Sequence, residues 1–211
     1  MDIRSRVWVA CLVALSLGVA LAARSANESF EKGRGRLDGE RPSSGPSAAA
    51  SSLVVRAEAG DVAAQTALGV LYAKGMGDTD RDPARARLWF GRAAKGGDGT
   101  AAYWLGVMTK NGEGALPNAE EAARWLALSA ELGSAQGMFL LANAYRNGSG
   151  VPQDVKKAVA LYEQAAALEH PAALQELAFA HRAGAIGLAK DPLEAHRYET
   201  LAAHALTHAA E

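Results

Sequence analysis

Glycine-rich loops that precede an acidic residue are the part of this sequence that comes closest to a ligand site. One of them, NGSGVPQD at residues 147–154, has two glycines around a single residue and an aspartate four positions after the second glycine. Loops of this kind can cradle a phosphate or hold a calcium ion. A phosphate loop continues with Lys-Ser or Lys-Thr, however, and a calcium loop has alternating acidic ligands and a distal glutamate. Neither pattern is present, and we therefore predict a turn without a metal ion or cofactor.

The same loop occurs four times along the chain. KGMGDTDRD lies at 74–82, NGEGALPN at 111–118 and, in a distorted form, AGAIGLAKD at 183–191. A ligand site is normally built once, whereas four copies at even spacing indicate repeated architecture. We predict that the first glycine of each pair ends one helix and that the second adopts a backbone conformation that other residues resist. The acidic or amide residue that closes the loop then caps the next helix.

The residues between the loops repeat with the same period of 36–37 residues. In the first unit, Ala64, Leu68 and Leu71 share one face of a helix. A second amphipathic stretch follows each loop. The predicted fold is therefore all-α, with about four helix–turn–helix repeats at 60–96, 97–132, 133–168 and 169–206. The equivalent leucines are Leu68, Leu105, Leu141 and Leu177, and the predicted caps of the second helices are Asp82, Asn118, Asp154 and Asp191.

These motifs resemble those of a known family. AQTALGVLYAKGMG at 64–77 and AYWLGVMTKNGEG at 102–114 are similar to the Sel-one-like repeat, a relative of the tetratricopeptide repeat. The resemblance implies a right-handed α-solenoid and a protein-interaction adaptor, often in signalling or assembly at the bacterial cell envelope. Thr109 and His181 depart from the pattern, because tyrosine stands at the two equivalent positions of the other repeats.

The N-terminal residues have a different character. Arg4 and Arg6 precede an apolar run from Val7 to Ala23, which is the pattern of an export signal. The run is long for a cleaved signal and short for a spanning helix. A segment rich in Gly, Pro, Ser and charged residues follows, and such a segment cannot bury enough apolar surface to fold. The predicted domains are a signal peptide or membrane anchor at 1–23, a disordered linker at 24–52 and the repeat domain at 53–211.

Catalytic chemistry is not indicated by any motif. Cys11, the single cysteine, lies in the N-terminal apolar run, so the exported part has no disulfide or thiolate. His204 and His208 have a spacing that zinc accepts, but no third ligand is evident beyond Glu211. We predict that the protein is not an enzyme and has no catalytic residue, metal ion or cofactor. A β-lactamase-like hydrolase, suggested by cysteine-rich relatives of the family, is a remote alternative.

A candidate binding surface lies on the first helix of each repeat, since these helices line the concave side of α-solenoids. Aromatic side chains there would form a band, and aromatic residues are enriched at binding hot spots. The predicted partner-binding residues are Tyr103, Trp104, Val107, Phe139, Asn143 and Phe179. Tyr103 and Phe139 fit a core position between repeats equally well.

Two functions remain open. A chain of 211 residues with a formal net charge of −1 gives no electrostatic reason to expect nucleic acid. We expect an exported adaptor or scaffold of the bacterial cell envelope that binds a protein or peptide on the concave face. It would be periplasmic, either soluble or anchored by its N-terminal segment. The alternative is a protein that binds glycan or peptidoglycan fragments, which would need flat exposed aromatic rings beside Asp, Asn or Arg.

Overall fold

The computed structural model describes residues 48–76 and 79–208, and within these ranges the regular secondary structure is entirely α-helical. After α1, the helices follow one another as four pairs, and the two helices of each pair pack together. The fold is an α-solenoid of four helix–turn–helix repeats, which confirms the prediction. The signal or anchor segment and the linker up to residue 47 lie outside the described residues. The helices are α1 (Ala48–Glu58), α2 (Val62–Lys74), α3 (Pro83–Lys95), α4 (Gly99–Asn111), α5 (Ala119–Glu131), α6 (Ala135–Asn147), α7 (Val155–Ala167), α8 (Pro171–Ala183) and α9 (Pro192–His208).

The turn inside each repeat is fixed by the same local contacts. The four first helices end at glycines with left-handed φ angles between 67° and 73°, namely Gly75, Gly112, Gly148 and Gly184. Each predicted cap of a second helix accepts a hydrogen bond from the backbone N–H three residues later. Its own N–H donates to a carbonyl in the last turn of the first helix. The roles predicted for the first glycine and for the caps are therefore confirmed.

The second glycine of the loop has the unusual backbone that was expected of it. Gly114, Gly150 and Gly187 have φ angles of 76°, 74° and 76°. Gly77, the corresponding residue of the first repeat, lies outside the described residues. A side chain at such a φ is strained, which explains why glycine recurs at this position.

The equivalent leucines form the centre of the core. All four are at most 6% exposed, and Leu68 and Leu177 are completely buried. Small residues beside them let the paired helices approach closely. A Cβ atom on Gly69, for example, would lie 2.6 Å from the ring of Phe90 on α3. Glycine at position 69 is thus required by the helix–helix distance, because any side chain there would overlap the ring.

Helix α1 lies outside the four repeats but belongs to the same core. It packs on α2, where Ala57 is buried and Leu53 and Val54 contact the cluster that contains Trp89. It therefore occupies the place that the second helix of a preceding repeat would take. Because α1 begins at Ala48, the linker prediction is wrong for residues 48–52. Alanine has the highest helix propensity, and packing on α2 offsets the polarity of the neighbouring serines.

The first helices form the inner layer of the solenoid. Helix α2 contacts α4, and α4 contacts α6, whereas the second helices α3, α5 and α7 make no comparable contacts with one another in the described part of the chain. The closer spacing of α2, α4 and α6 indicates that the stack curves toward the first helices, so the surface that these helices present to solvent is concave. Within residues 48–76 and 79–208, no helix has the length and hydropathy needed to cross a membrane.

Candidate functional site

The predicted partner-binding residues do not form one exposed band. They lie on α4, α6 and α8, as the sequence indicated, but their side chains have three different environments. Three aromatic rings are partly buried against other rings, two residues line a small cleft, and one ring is exposed near the C-terminal end. The partly buried rings are Tyr103, Trp104 and Phe139, the cleft residues are Val107 and Asn143, and the exposed ring is Phe179.

Trp104 is anchored by contacts on several sides. Its ring lies nearly parallel to the ring of Phe90, with 6.0 Å between centroids and an angle of 7°. Tyr103 meets it edge-on at 5.6 Å, and the Lys74 ammonium lies 5.9 Å from its centroid. The indole is half-buried against the core cluster of the first two repeats. Trp104 therefore helps to join these repeats, and only part of it remains available to a partner.

Phe139 and Asn143 contact side chains of the last two repeats. The Phe139 ring stacks on His170 at 5.0 Å and leans on Tyr162 at 5.8 Å. The Tyr162 hydroxyl donates a hydrogen bond to Oδ1 of Asn143 at 2.7 Å. Burial raises the pKa of Tyr162 to about 12, so this hydroxyl stays protonated and remains a donor. The core interpretation thus describes Phe139 better than the groove interpretation.

A small cleft opens between α4, α5 and α6. Its volume is about 90 Å³, and Val107 and Leu126 contribute to its apolar surface. Its polar lining consists of Lys110, Asn143, Asn147 and Ser149. Sequence reasoning singled out Val107 and Asn143 but missed Lys110 and Asn147. Lys110 could have been found from the repeat period, because positions 110, 146 and 182 are equivalent and all carry a basic residue.

A second, wider cleft lies between α8 and α9. It has a volume of about 380 Å³ and is lined by Phe179, Ala202 and Leu206 together with charged residues. Phe179 is 62% exposed. Arg182 and Glu199 form an ion pair at the same place. Glu199 occupies the position of the buried Phe90, Leu126 and Tyr162 in the earlier repeats, so the last repeat has a charged side chain where the others have an apolar or aromatic one.

His170 is a structural residue that the sequence did not reveal. Its Nδ1 accepts a hydrogen bond from the Ala173 N–H at 3.3 Å and thereby caps α8. Burial lowers the pKa of His170, because the charged form loses hydration. A protonated Nδ1 also could not accept the capping hydrogen bond.

Acidification is therefore expected to weaken the fold through His170. The unfolded histidine binds a proton near its ordinary pKa of 6.5, and the folded one binds it only at a lower pH. The contribution of neutral His170 to the free energy of unfolding is fully present above pH 6.5. It is lost as the pH falls through the lower pKa that His170 has in the folded protein. Urea unfolding of wild type and His170→Asn at about pH 5 and about pH 8 checks this, since asparagine caps a helix without titrating in this range. His196→Asn, a change at an exposed residue of α9, should keep the wild-type pH dependence. If His170→Asn also keeps the wild-type pH dependence, another group causes the loss of stability at low pH.

The acidic residues of the loops with paired glycines have a structural role in the described part of the chain. They serve as helix caps, and in the described part of the chain no three His, Cys, Asp or Glu side chains are close enough to hold a metal ion. The side chain of His208, and Glu211, lie outside the described residues.

The Sel1 repeat family matches the chain at four consecutive segments, 62–98, 99–134, 135–170 and 171–205. Each match begins at the first residue of a first helix, two residues after the boundary predicted from the sequence. No curated protein has a sequence that matches the chain significantly.

Two solved structures are similar to this fold. One is a Sel1 repeat protein from Oxalobacter formigenes, with 30% identity and a TM-score of 0.70; the match covers 72% of this chain and 62% of that protein. The other is a protective antigen with an SLR fold from uropathogenic Escherichia coli strains, with 32% identity and a TM-score of 0.68; the match covers 73% of this chain and 32% of the antigen. The chain therefore spans less than two thirds of either protein.

The matched segments include all four helix pairs, and the loop glycines and caps that define the repeat have the geometry described above. Sel1 repeats are generally non-catalytic helical scaffolds that mediate protein–protein interactions. The chain belongs to the Sel1 repeat family.

Proposed function

We propose that this protein is an exported adaptor of the bacterial cell envelope that binds a protein or peptide partner on the concave face of its solenoid. The observation that carries the proposal is the inner layer of first helices, whose equivalent positions hold the partly or largely exposed residues Val70, Val107, Asn143 and Phe179. These side chains mix apolar and polar character, and basic residues stand next to them. A surface of this composition suits a polypeptide.

The exposure of Phe179 supports the same interpretation. A phenylalanine that is 62% exposed in a cleft of apolar and charged residues leaves an apolar surface uncovered. Such surfaces mark interaction sites when charged residues surround them. Leu206, which lines the same cleft, is also exposed.

Binding of glycans receives less support from the geometry. A sugar would need free ring faces, but Phe179 is the one exposed ring among the predicted binding residues, because Trp104 stacks on Phe90 and Phe139 stacks on His170. The polypeptide partner is therefore the better match to the described surface.

Affinity capture with a matched pair of variants tests the proposal. Phe179→Ala should lower the affinity for the captured partner by about 30-fold, which corresponds to about 2 kcal/mol for the loss of an aromatic hot-spot contact. The full chain, tagged after its last residue, is purified from a Gram-negative host, and co-purifying proteins are quantified by mass spectrometry at several protein concentrations. Because Phe179 is exposed, the thermal unfolding midpoint should stay close to that of the wild type.

Leu193→Ala is the control, since Leu193 is 83% exposed but lies at the start of the second helix α9. It should capture the partner as well as the wild type does. Equal capture by both variants would show that Phe179 does not belong to the binding surface.

Export is the second part of the proposal and rests on the basic and apolar pattern of residues 1–23. A reporter that is active only in the periplasm, fused after Glu211, should be active, while a reporter restricted to the cytoplasm should be silent. The opposite pattern would reject export. The mass of the mature N-terminus then distinguishes a cleaved signal from a retained anchor.

A further inference from the structure

One basic position is repeated along the concave face, and its members differ in their partners. Lys110, Arg146 and Arg182 are equivalent residues near the C-terminal ends of α4, α6 and α8. Arg146 pairs with Glu176 of the next repeat at 2.8 Å, and Arg182 pairs with Glu199. For Lys110, no ion pair occurs with any residue in the described ranges.

The missing partner has a simple cause in the sequence. The residue equivalent to Glu176 in the third repeat is Leu140, which lines the same cleft as Lys110. Between the third and fourth repeats, a carboxylate therefore fits beside the basic residue, as the pair of Arg146 and Glu176 shows. Between the second and third repeats, the basic residue Lys110 is present without a carboxylate. An unpaired cation next to a cleft favours an anionic ligand group.

The cleft itself exists because side chains are small at this junction. Between the first and second repeats, Arg87 reaches across to Thr109 at 2.9 Å, and Trp104 stacks on Phe90. The residues equivalent to Arg87 and Trp104 are Ala123 and Leu140 at the next junction. Their smaller volume leaves the space of about 90 Å³ between α4, α5 and α6.

The polar groups around the cleft are suited to a carboxylate. Lys110 supplies a positive charge, and Asn147 and Ser149 supply neutral donors. Oδ1 of Asn143 is occupied by the Tyr162 hydroxyl, so the amide nitrogen is the group of Asn143 that a ligand oxygen would meet. The lining contains no Asp or Glu that would repel an anion.

We propose that this cleft binds the side-chain carboxylate of a glutamate or aspartate in the polypeptide partner, in the way that Glu176 binds Arg146 within the protein. This inference rests on the proposed function, because it requires a polypeptide on the concave face. The cleft is too small for a helix or strand but accommodates one acidic side chain. It therefore acts as a specificity pocket within a larger docking surface.

Capped tripeptides test the pocket without knowledge of the partner. The probe is acetyl-Ala-Glu-Ala-amide, and the comparison peptides are acetyl-Ala-Gln-Ala-amide and acetyl-Ala-Ala-Ala with a free C-terminal carboxylate. Amide resonances of the isotope-labelled full chain are followed by NMR during titration. We expect saturable shifts at Lys110, Asn143 and Asn147 with the glutamate peptide alone. Lys110→Met should weaken this binding at least about tenfold, whereas Lys95→Met, at an exposed lysine on the second helix α3, should not.

Shifts with the glutamine peptide of the same size, or no shifts at all, would overturn the inference. Shifts with the free C-terminal carboxylate alone would also overturn it, because they would assign the pocket to a chain end. Leu140→Glu gives a second measurement, since the new carboxylate should pair with Lys110, raise the unfolding midpoint and abolish peptide binding. The increase should disappear when Lys110→Met is added, and an increase that persists would contradict the pairing.

The outcome is separable from that of the proposed function. The peptide titration uses the isolated protein, whereas capture in the host depends on Phe179 and on export. Specific peptide shifts without a captured partner would retain the pocket and reject the adaptor. Capture that depends on Phe179, without peptide shifts, would retain the adaptor and reject the pocket.

Discussion

Phe90→Ala is expected to lower the free energy of unfolding by about 3–5 kcal/mol, the range for removing a buried aromatic ring. Phe90 is completely buried and joins two repeats, because it contacts the backbone of α2 at Gly69 and stacks on Trp104 of α4. Close approach of these groups leaves little freedom for the core to collapse around a cavity. Urea unfolding followed by far-ultraviolet circular dichroism gives the change in free energy.

Leu88→Ala is the control for this substitution. Leu88 lies on the same helix α3 but is 53% exposed, so its removal should change the free energy of unfolding by less than about 1 kcal/mol. The comparison separates loss of core packing from a change in helix propensity, since both variants introduce alanine into the same helix. Similar losses in the two variants would mean that Phe90 does not join the repeats.

The sequence was most informative where the structure depends on neighbouring residues. A glycine that ends a helix and an aspartate that caps the next one act through backbone groups only three or four positions away. Asp82, Asp154 and Gly112 could therefore be assigned before the fold was known, and the structure confirms them. Burial of the four equivalent leucines could also be predicted, because the repeat places each leucine in the same environment.

The candidate site was harder to predict because it depends on contacts between repeats. Trp104 and Phe179 looked similar in the sequence, as aromatic residues at non-motif positions of first helices. Trp104 is half-buried because its ring stacks on Phe90 of the preceding repeat, whereas Phe179 is exposed in the cleft between α8 and α9. The same reasoning explains Lys110, whose significance appears only when its equivalents are seen with their carboxylates.

The second loop glycine combines a local and a distant requirement. Its positive φ was predicted from the sequence, but its contact with the preceding repeat was not. A Cβ atom on Gly150 would lie 2.0 Å from the carbonyl oxygen of Ala119, at the start of α5. The loop of the third repeat therefore rests directly on the backbone of the second repeat. A Cβ atom on Gly187 would meet no atom within 4 Å beyond its chain neighbours, in agreement with the distorted fourth loop.

Gly150→Ala is accordingly expected to lower the free energy of unfolding by about 2–5 kcal/mol. The left-handed backbone contributes about 1–2 kcal/mol of this loss, and displacement of the loop from α5 contributes about 1–3 kcal/mol. Gly148→Ala in the same loop isolates the first contribution, because Gly148 has a φ of 68° but its nearest neighbour would be 3.5 Å from the new Cβ. Urea unfolding of the two variants should differ by at least about 1 kcal/mol, with Gly150→Ala the less stable. Equal losses would show that backbone strain alone accounts for the glycine and that the loop can move away from Ala119 without cost.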